Sequence, residues 1–302
     1  MTSKGRQEHV AYSFIVDEHP KFAYQGWLLA RSLQQACAAE TKDIHVQFTS
    51  EVPTYVRDKF SSAGCAIHEI ERFGDGKFCN KASQLPNLAD CAFDRIVLLD
   101  TDTIAIGDIR PFLVGDAVQA KTVDLPNPRL ETLIEIYAAA GGAVNPRFTM
   151  TDAGHALTLF GNANGGLYTV PRRLLVEFST EWRRWISWLM VNDQPLRDAG
   201  SLGHIDQVGV ALATQVSRIA FSYALSNVNY YIHFQGLHRY FDSMRPIVLL
   251  HYHDAAMNQE GLLAAPYTPN ELESQAIAKA NRQIEASFDE ELLREYRCAS
   301  RP

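Results

Sequence analysis

Two carboxylates one residue apart, Asp100 and Asp102, follow directly on the apolar run Ile96-Val97-Leu98-Leu99. Side chains alternate along a strand, so the pair is expected on one face and Thr101 on the other. In an open parallel sheet such a run ends at the carboxyl edge, where ligands bind. Two unpaired carboxylates there repel each other. A divalent cation relieves the repulsion, and oxygen ligands suit Mg²⁺ or Mn²⁺. The competing expectation is that both Asp residues cap the turn after the strand. A second apolar run, Ile247 to Leu250, leads into His251-Tyr252-His253, a polar turn like the one that follows the Asp pair, though a lone strand histidine is more often structural than a ligand.

Alternating strands and helices must position these residues. Residues 10–16 (VAYSFIV), 44–49, 65–70 and 95–99 are apolar and β-rich and read as strands. Between them, 21–38 has helical spacing, Pro53 opens a helix ended by Gly64, and 77–88 holds a helix cut short by Pro86. The alternation points to βαβ units and a largely parallel sheet. Beyond Pro111 the pattern loosens: loops over 124–150 with one helix near 129–140, a strand at 166–170, a helix over 171–190 and a late strand at 246–252. Trp182, Trp185 and Trp188 fall at i, i+3, i+6 and are expected in the core. Residues 268–297 are charged and helical, with Thr268-Pro269 as the start and Leu272, Ile277, Ile284, Phe288 and Leu292 as a broken apolar stripe.

Composition bounds the partners. The 302 residues carry a formal net charge of −7, which argues against non-specific nucleic-acid binding. No apolar run approaches the ~20 residues of a membrane span. The start shows no signal-peptide core, and the five cysteines are scattered without CxxC spacing. A cytoplasmic location is the simplest expectation.

Several segments in order carry a resemblance. DRIVLLDTDTIAIGDIRPFL, FGNANGGLYTVPRRLL, HIDQVGVALA and PIVLLHYHDA, with the opening strand FIVDE, resemble glycosyltransferase family 8 from about Val10 to about Asp254. The resemblance implies a GT-A type α/β fold: a mostly parallel central sheet flanked by helices. It implies a catalytic domain over 8–265, with 266–302 as a helical C-terminal extension packed on it. Asp100, Asp102 and His251 would be the metal ligands, for Mn²⁺ or Mg²⁺, with His253, two residues on along the same strand face, as the rival to His251. Asp17, Lys81 (Lys77 the rival), Asp100, Thr101, Asn164, Gly165 and Gly166 would contact the donor. Asp206 and Gln207 would lie at the reaction centre. Read alone, Asp17 suits a helix N-cap, Asp206-Gln207 a helix cap and first turn, and Gly161 a tight turn.

The activity implied is metal-dependent transfer of a hexose from a nucleotide sugar, a UDP-sugar by family habit, to a carbohydrate or other hydroxyl acceptor. Configuration would be retained, through either a nucleophile or attack from the leaving group's own face. The family often places a Lys a few residues beyond the metal-binding His. Here Asp254-Ala255-Ala256-Met257-Asn258 follows, so Lys81, His253 or Arg239 would have to substitute. That departure lends weight to a sugar-nucleotide-binding protein without turnover. A dehalogenase-type phosphohydrolase is the other class that ends a strand in paired Asp residues, but about a third of the chain precedes them here. Acceptor contacts are expected from 125–160 and the aromatic 230–245 segment. The acidic tail is expected to serve packing or self-association as a homo-oligomer rather than membrane contact.

Overall fold

A computed structural model describes residues 8–143 and 145–299. In chain order the strands are β1 (Val10–Val16), β2 (Ile44–Phe48), β3 (Ala66–Glu69), β4 (Arg95–Leu99), β5 (Thr103–Ala105), β6 (Val118–Thr122), β7 (Phe148–Met150), β8 (Leu157–Leu159), β9 (Ala163–Pro171), β10 (Phe221–Tyr223), β11 (Tyr230–Tyr231) and β12 (Leu249–His251). The helices are α1 (Pro20–Cys37), α2 (Thr54–Ser62), α3 (Gln84–Asn87), α4 (Leu130–Ala139), α5 (Leu175–Val191), α6 (Gln194–Asp198), α7 (Ile205–Gln215), α8 (Glu271–Glu285) and α9 (Glu290–Ala299).

The central sheet has the order β10-β6-β9-β4-β1-β2-β3. Only β9 runs antiparallel to its neighbours, so the sheet is mostly parallel. The inner strands VAYSFIV, IHVQF and RIVLL are buried almost throughout, as helices on both faces require. Tyr12, Phe14 and Val16 face one apolar layer with α1, α8 and α9. Ala11 and the Ile96/Leu98 pair face the other, under α5 and α7. Trp182 and Trp185 are buried and Trp188 is partly buried against that second layer. A small sheet, β11-β12-β5, is laid so that His251 pairs with Thr103, next to the Asp turn.

Several local expectations are corrected. Residues 78–83 form a 3₁₀ helix, and Pro86 sits inside the short α3 instead of ending a longer helix. The α1 cap is His19, whose ring accepts from the Lys21 N–H with Pro20 at the first position; Asp17 is free for another role. Asn270 caps α8 through a reciprocal capping box with Glu273, so it precedes the first turn. Of the expected tail stripe, Ile277, Ile284 and Leu292 are buried while Leu272 and Phe288 lie at the surface; Ala280 and Tyr296 fill the face instead. The tail docks on α1 and α2: Tyr296 stacks on Tyr24 at 5.0 Å and Lys59 bridges Asp289 at 2.8 Å. Residues 300–302 lie outside the described residues. No helix among those described is long and apolar enough to cross a membrane.

Candidate active site

The Asp pair does not sit on an extended strand. β4 ends at Leu99, and both the amide and the hydroxyl of Thr103 donate to the Asp100 carbonyl, at 3.2 and 2.7 Å. The chain turns straight into β5. The alternation expected of a strand therefore does not set the two carboxylates, and they take different partners.

Asp100 is held by a lysine. The Lys81 ammonium lies 2.6 Å from Asp100 Oδ1 and donates to the Gly165 carbonyl at 2.7 Å. Burial works to strip Lys81 of its proton, but the adjacent Asp100 and Asp206 carboxylates raise its pKa on balance. A Cβ on Gly165 would lie 2.7 Å from the Lys81 nitrogen, so a larger residue there would push the ammonium out of its present contact. Asp206 opens α7 behind this contact. Its Oδ1 is buried without a hydrogen-bond partner, and burial pushes its pKa up to about 7 against the pull of Lys81. Gln207 follows it, half-buried beside His204.

Asp102 is faced by two imidazoles, His251 Nε2 and His253 Nδ1, each at 3.4 Å. A chain of hydrogen bonds fixes the His251 tautomer. The Gly166 amide donates to Asn164 Oδ1 at 2.9 Å, which makes that atom the acceptor. Asn229 Nδ2 donates to the same oxygen at 2.9 Å, so Asn229 Oδ1 is left to accept, and it faces His251 Nδ1 at 3.0 Å. His251 therefore carries its proton on Nδ1, and in the neutral ring the Nε2 lone pair points at the Asp102 carboxylate. Nε2 is buried and has no hydrogen-bond partner. Two electron-pair donors facing each other call for a positive charge between them, either a proton on Nε2 or a metal ion. An imidazole whose far N–H is held by a neighbouring oxygen is the arrangement that metal-binding histidines adopt. Ligand atoms of Asp102, His251 and His253 lie within 4.8 Å of one another, a donor set that fits a divalent cation. Burial raises the Asp102 carboxyl, but positive charge on the two rings when they are protonated, with the Lys81 ammonium nearby, holds it well below the usual range. His253 lies beyond β12 with φ +48°, so strand alternation does not bring it here; its ring stacks on His251 at 4.2 Å.

The other expected residues divide. Asp17, Lys81, Asp100, Thr101 and Asp102 line one cleft of about 520 Å³, with His253 and the rival Lys77. Within it Arg72 grips Asp17 with two nitrogens, at 2.7 and 3.1 Å, and the Thr49 hydroxyl donates to the same carboxylate. Asn164 is engaged within the protein, donating to Asp124 at 2.7 Å. A Cβ on Gly166 would lie 2.5 Å from His251 Nδ1, so this glycine is what admits the histidine. Gly161 takes φ +92° against Thr214, as a turn residue does. Arg239 is spent on the Thr151 and Gly154 carbonyls and does not line the cleft. In the 230–245 segment Tyr230 and Tyr231 are buried against the His238 ring, so these two pack the core. Lys21, Arg72 and Asn229 are site residues that no motif marked. Lys21 and Arg72 come from a helix start and a loop, and Asn229 lies between two very short elements. Only a three-dimensional arrangement identifies them.

No family model matches the chain, and no curated protein matches it. Among solved structures it is similar to the galactosyltransferase LgtC in complex with donor and acceptor sugar analogues (14% identity over 94% of this chain and 99% of that one, TM-score 0.56). It is also similar to mouse xyloside xylosyltransferase 1 in its apo form (14% identity, 81% and 98% covered, TM-score 0.50). The apo bifunctional glycosyltransferase WbbM has 10% identity, with 98% of this chain and 53% of that one covered, at TM-score 0.50. What is shared is the fold, a GT-A type α/β architecture.

Proposed function

We propose that the protein is a metal-dependent, retaining glycosyltransferase that moves a hexose from a UDP-sugar to a hydroxyl acceptor. The carrying observation is the His251 lone pair held against Asp102 at the carboxyl edge of the sheet, in a fold shared with proteins named as sugar transferases. Asp102 and His251 would hold Mn²⁺ or Mg²⁺, with Asp100, the neighbouring carboxylate held by Lys81, as the further ligand the resemblance implies. When bound, such an ion stabilises the negative charge of a departing nucleoside diphosphate.

The chain's own residues do the rest. Asp17, steadied by Arg72, and Thr101 flank the cleft where base and ribose would lie. Lys81, which lines the same cleft, would set its charge near the sugar–diphosphate junction. Lys21, which bridges Asp254, puts an ammonium beside the segment where the resemblance leads one to expect a lysine. Asp206, raised by burial to about 7, would ionise fully as positive charge develops beside it and then stabilise that charge. Gln207 offers an amide oxygen next to it. Asn164 acts through Asp124 and Asn229 and through the close backbone approach at Gly165-Gly166.

A thermal-shift series with nucleoside diphosphates, with and without Mn²⁺, tests this. UDP is expected to stabilise the protein only when the metal is present, and UDP-hexose hydrolysis is expected to depend on Asp206. Stabilisation by no nucleotide would remove the reading. Metal-dependent UDP binding with no transfer or hydrolysis for any sugar would leave a binding protein without turnover.

A further inference from the structure

A second cluster of metal-ligating side chains lies on the central sheet, away from the cleft. His45 on β2 and His68 on β3 share one sheet face, because the parallel register pairs His45 with Ala66 and Gln47 with His68. Their rings stack at 5.1 Å, with His45 Nδ1 2.9 Å from His68 Nε2. Cys91, in the turn after α3, brings its Sγ to the same place: one ligand atom from each of the three lies within 4.8 Å of the others. His45 is buried, while His68 and Cys91 are half-buried, so one side of the cluster is open to solvent.

We infer that His45, His68 and Cys91 form a site for a soft divalent cation of the Zn²⁺ class, separate from the Asp102 centre. Imidazole and thiolate are the ligands that select such ions over Mg²⁺ or Mn²⁺, and the open side leaves a fourth position for water. Two nitrogens at about 2.0–2.1 Å from one tetrahedral ion stand ~3.3 Å apart, so the rings need to part by only a few tenths of an ångström. The ring that donates across this contact moves its proton to its other nitrogen, so that both facing nitrogens present lone pairs to the ion. The cysteine releases its thiol proton to solvent as the thiolate binds. Arg172 donates to the Leu88 carbonyl at 3.2 Å and also to that of Ala89, which fixes the turn carrying Cys91 and sets a positive charge beside it.

The location gives the site a consequence. The segment from Lys81 to Cys91 is fastened to the sheet at one end by the Lys81 contact with Asp100. Toward the other end Asn87 clips it to Gln47 and to the Glu69 carbonyl, at 3.0 and 2.8 Å. An ion at Cys91 joins that end to β2 and to the edge strand β3.

The test uses the full chain carrying His251→Ala and Asp102→Ala, so that the cleft no longer competes. Each protein is loaded with Zn²⁺ alone, dialysed, and its metal content measured; a parallel sample takes Co²⁺ alone. One equivalent of Zn²⁺ is expected, with a thiolate-to-cobalt absorption band in the Co²⁺ form. Adding Cys91→Ser should abolish the band, and Cys91→Ser or His68→Ala should each lower Zn²⁺ affinity at least tenfold. Far-UV dichroism of the metal-free variants checks that they fold. Zn²⁺ content unchanged by both substitutions, or a cobalt spectrum without a thiolate band, would overturn the site. Because the cleft ligands are already removed, neither result bears on the proposed transferase activity.

Discussion

Asp100 and Asp102 are the same residue type, one position apart, yet their surroundings are opposites. Asp100 meets a resident cation, the Lys81 ammonium. Asp102 meets two ring nitrogens, one of them fixed as an electron-pair donor by the Asn229–Asn164–Gly166 chain. One half of the motif is already neutralised by the fold, and the other is left short of a positive charge. A paired-carboxylate motif is thus two electrostatic environments, and the deficit, not the count of carboxylates, says where an ion belongs.

The most severe way to break the contrast is to remove the deficient half. Asp102→Ala or His251→Ala should eliminate Mn²⁺-dependent stabilisation by UDP, a loss of at least ~100-fold in affinity, since a first ligand matters more than the neighbours that orient it. Asp100→Ala should weaken binding less, because Lys81 then loses its partner and its charge faces the diphosphate directly. Isothermal titration of UDP with and without Mn²⁺ separates the two; equal losses would erase the asymmetry.

Next comes the group that orients the ligand. Asn229→Ala frees His251 Nδ1 and should cost 10–100-fold in Mn²⁺ affinity, with secondary structure unchanged. Direct Mn²⁺ titration reads this, and an unchanged affinity would show that the tautomer is not set by this chain.

On the Lys81 side, Lys81→Met leaves Asp100 and the buried Asp206 uncompensated. A buried pair broken from one end costs about 3–5 kcal/mol, and the part-exposed Asp100 reduces that to ~1–3 kcal/mol. Urea denaturation should show a lower midpoint at pH 8. A smaller loss at pH 5 is expected, because Asp206 there takes up a proton.

Asp206 itself gives a pH signature. Its folded pKa of about 7 lies above the unfolded value of 3.8, so between those pH values the folded state alone binds the proton. Stability due to this group is present below the lower value and is lost as pH rises through the window, with a limiting slope of about 1.4 kcal/mol per pH unit. Asp206→Asn removes the titration. Its melting temperature relative to wild type should climb from pH 4 to pH 7 and then level off, while UDP–Mn²⁺ binding persists and sugar transfer falls. A pH-independent difference would place the carboxyl in water.

How much of this the sequence showed depends on how far each interaction reaches along the chain. β1 to β4 and α1, α2 and α5 were legible because buried strands read as short apolar β-rich runs and helices as an apolar stripe, while α7 was marked only by its cap and first turn at Asp206-Gln207. β5, β7, β8, β10 and β11 are two or three residues long, too short for any period. The helix expected over 77–88 was misjudged because this segment is held by distant partners: Lys81 by Asp100, Asn87 by Gln47. At the site, the Asp pair and the HYH run were visible as ends of apolar runs. The alternation inferred for both was wrong, because β4 ends at Leu99 before a turn at Thr101-Asp102, and β12 ends at His251 with His253 at φ +48°. Asn229 and Arg72 carry no local signature, and their roles exist only through contacts made 22 and 55 positions away.

The finest test concerns the second imidazole. His253 stands as close to Asp102 as His251 does, 3.4 Å in each case, so distance alone does not rank them. What differs is restraint. His251 is 2% exposed, paired in β12 and locked at its far nitrogen; His253 is 45% exposed, sits just past the strand, and rests its ring on the rings of His251 and His233. A free ring must lose rotamer freedom on binding, which cancels part of what it contributes. Desolvation of the packed part of the ring, which stacks on His251, lowers the His253 pKa and so favours the neutral form that can donate an electron pair. His253→Ala should therefore weaken Mn²⁺ binding only a few-fold, against the near-complete loss in His251→Ala, and should shift metal preference toward Mg²⁺ by removing a nitrogen donor. Titrating both ions into both variants measures this. If His253→Ala proves as damaging as His251→Ala, the ion is held by a two-histidine centre, and the tautomer lock at Asn229 does not decide which ring serves it.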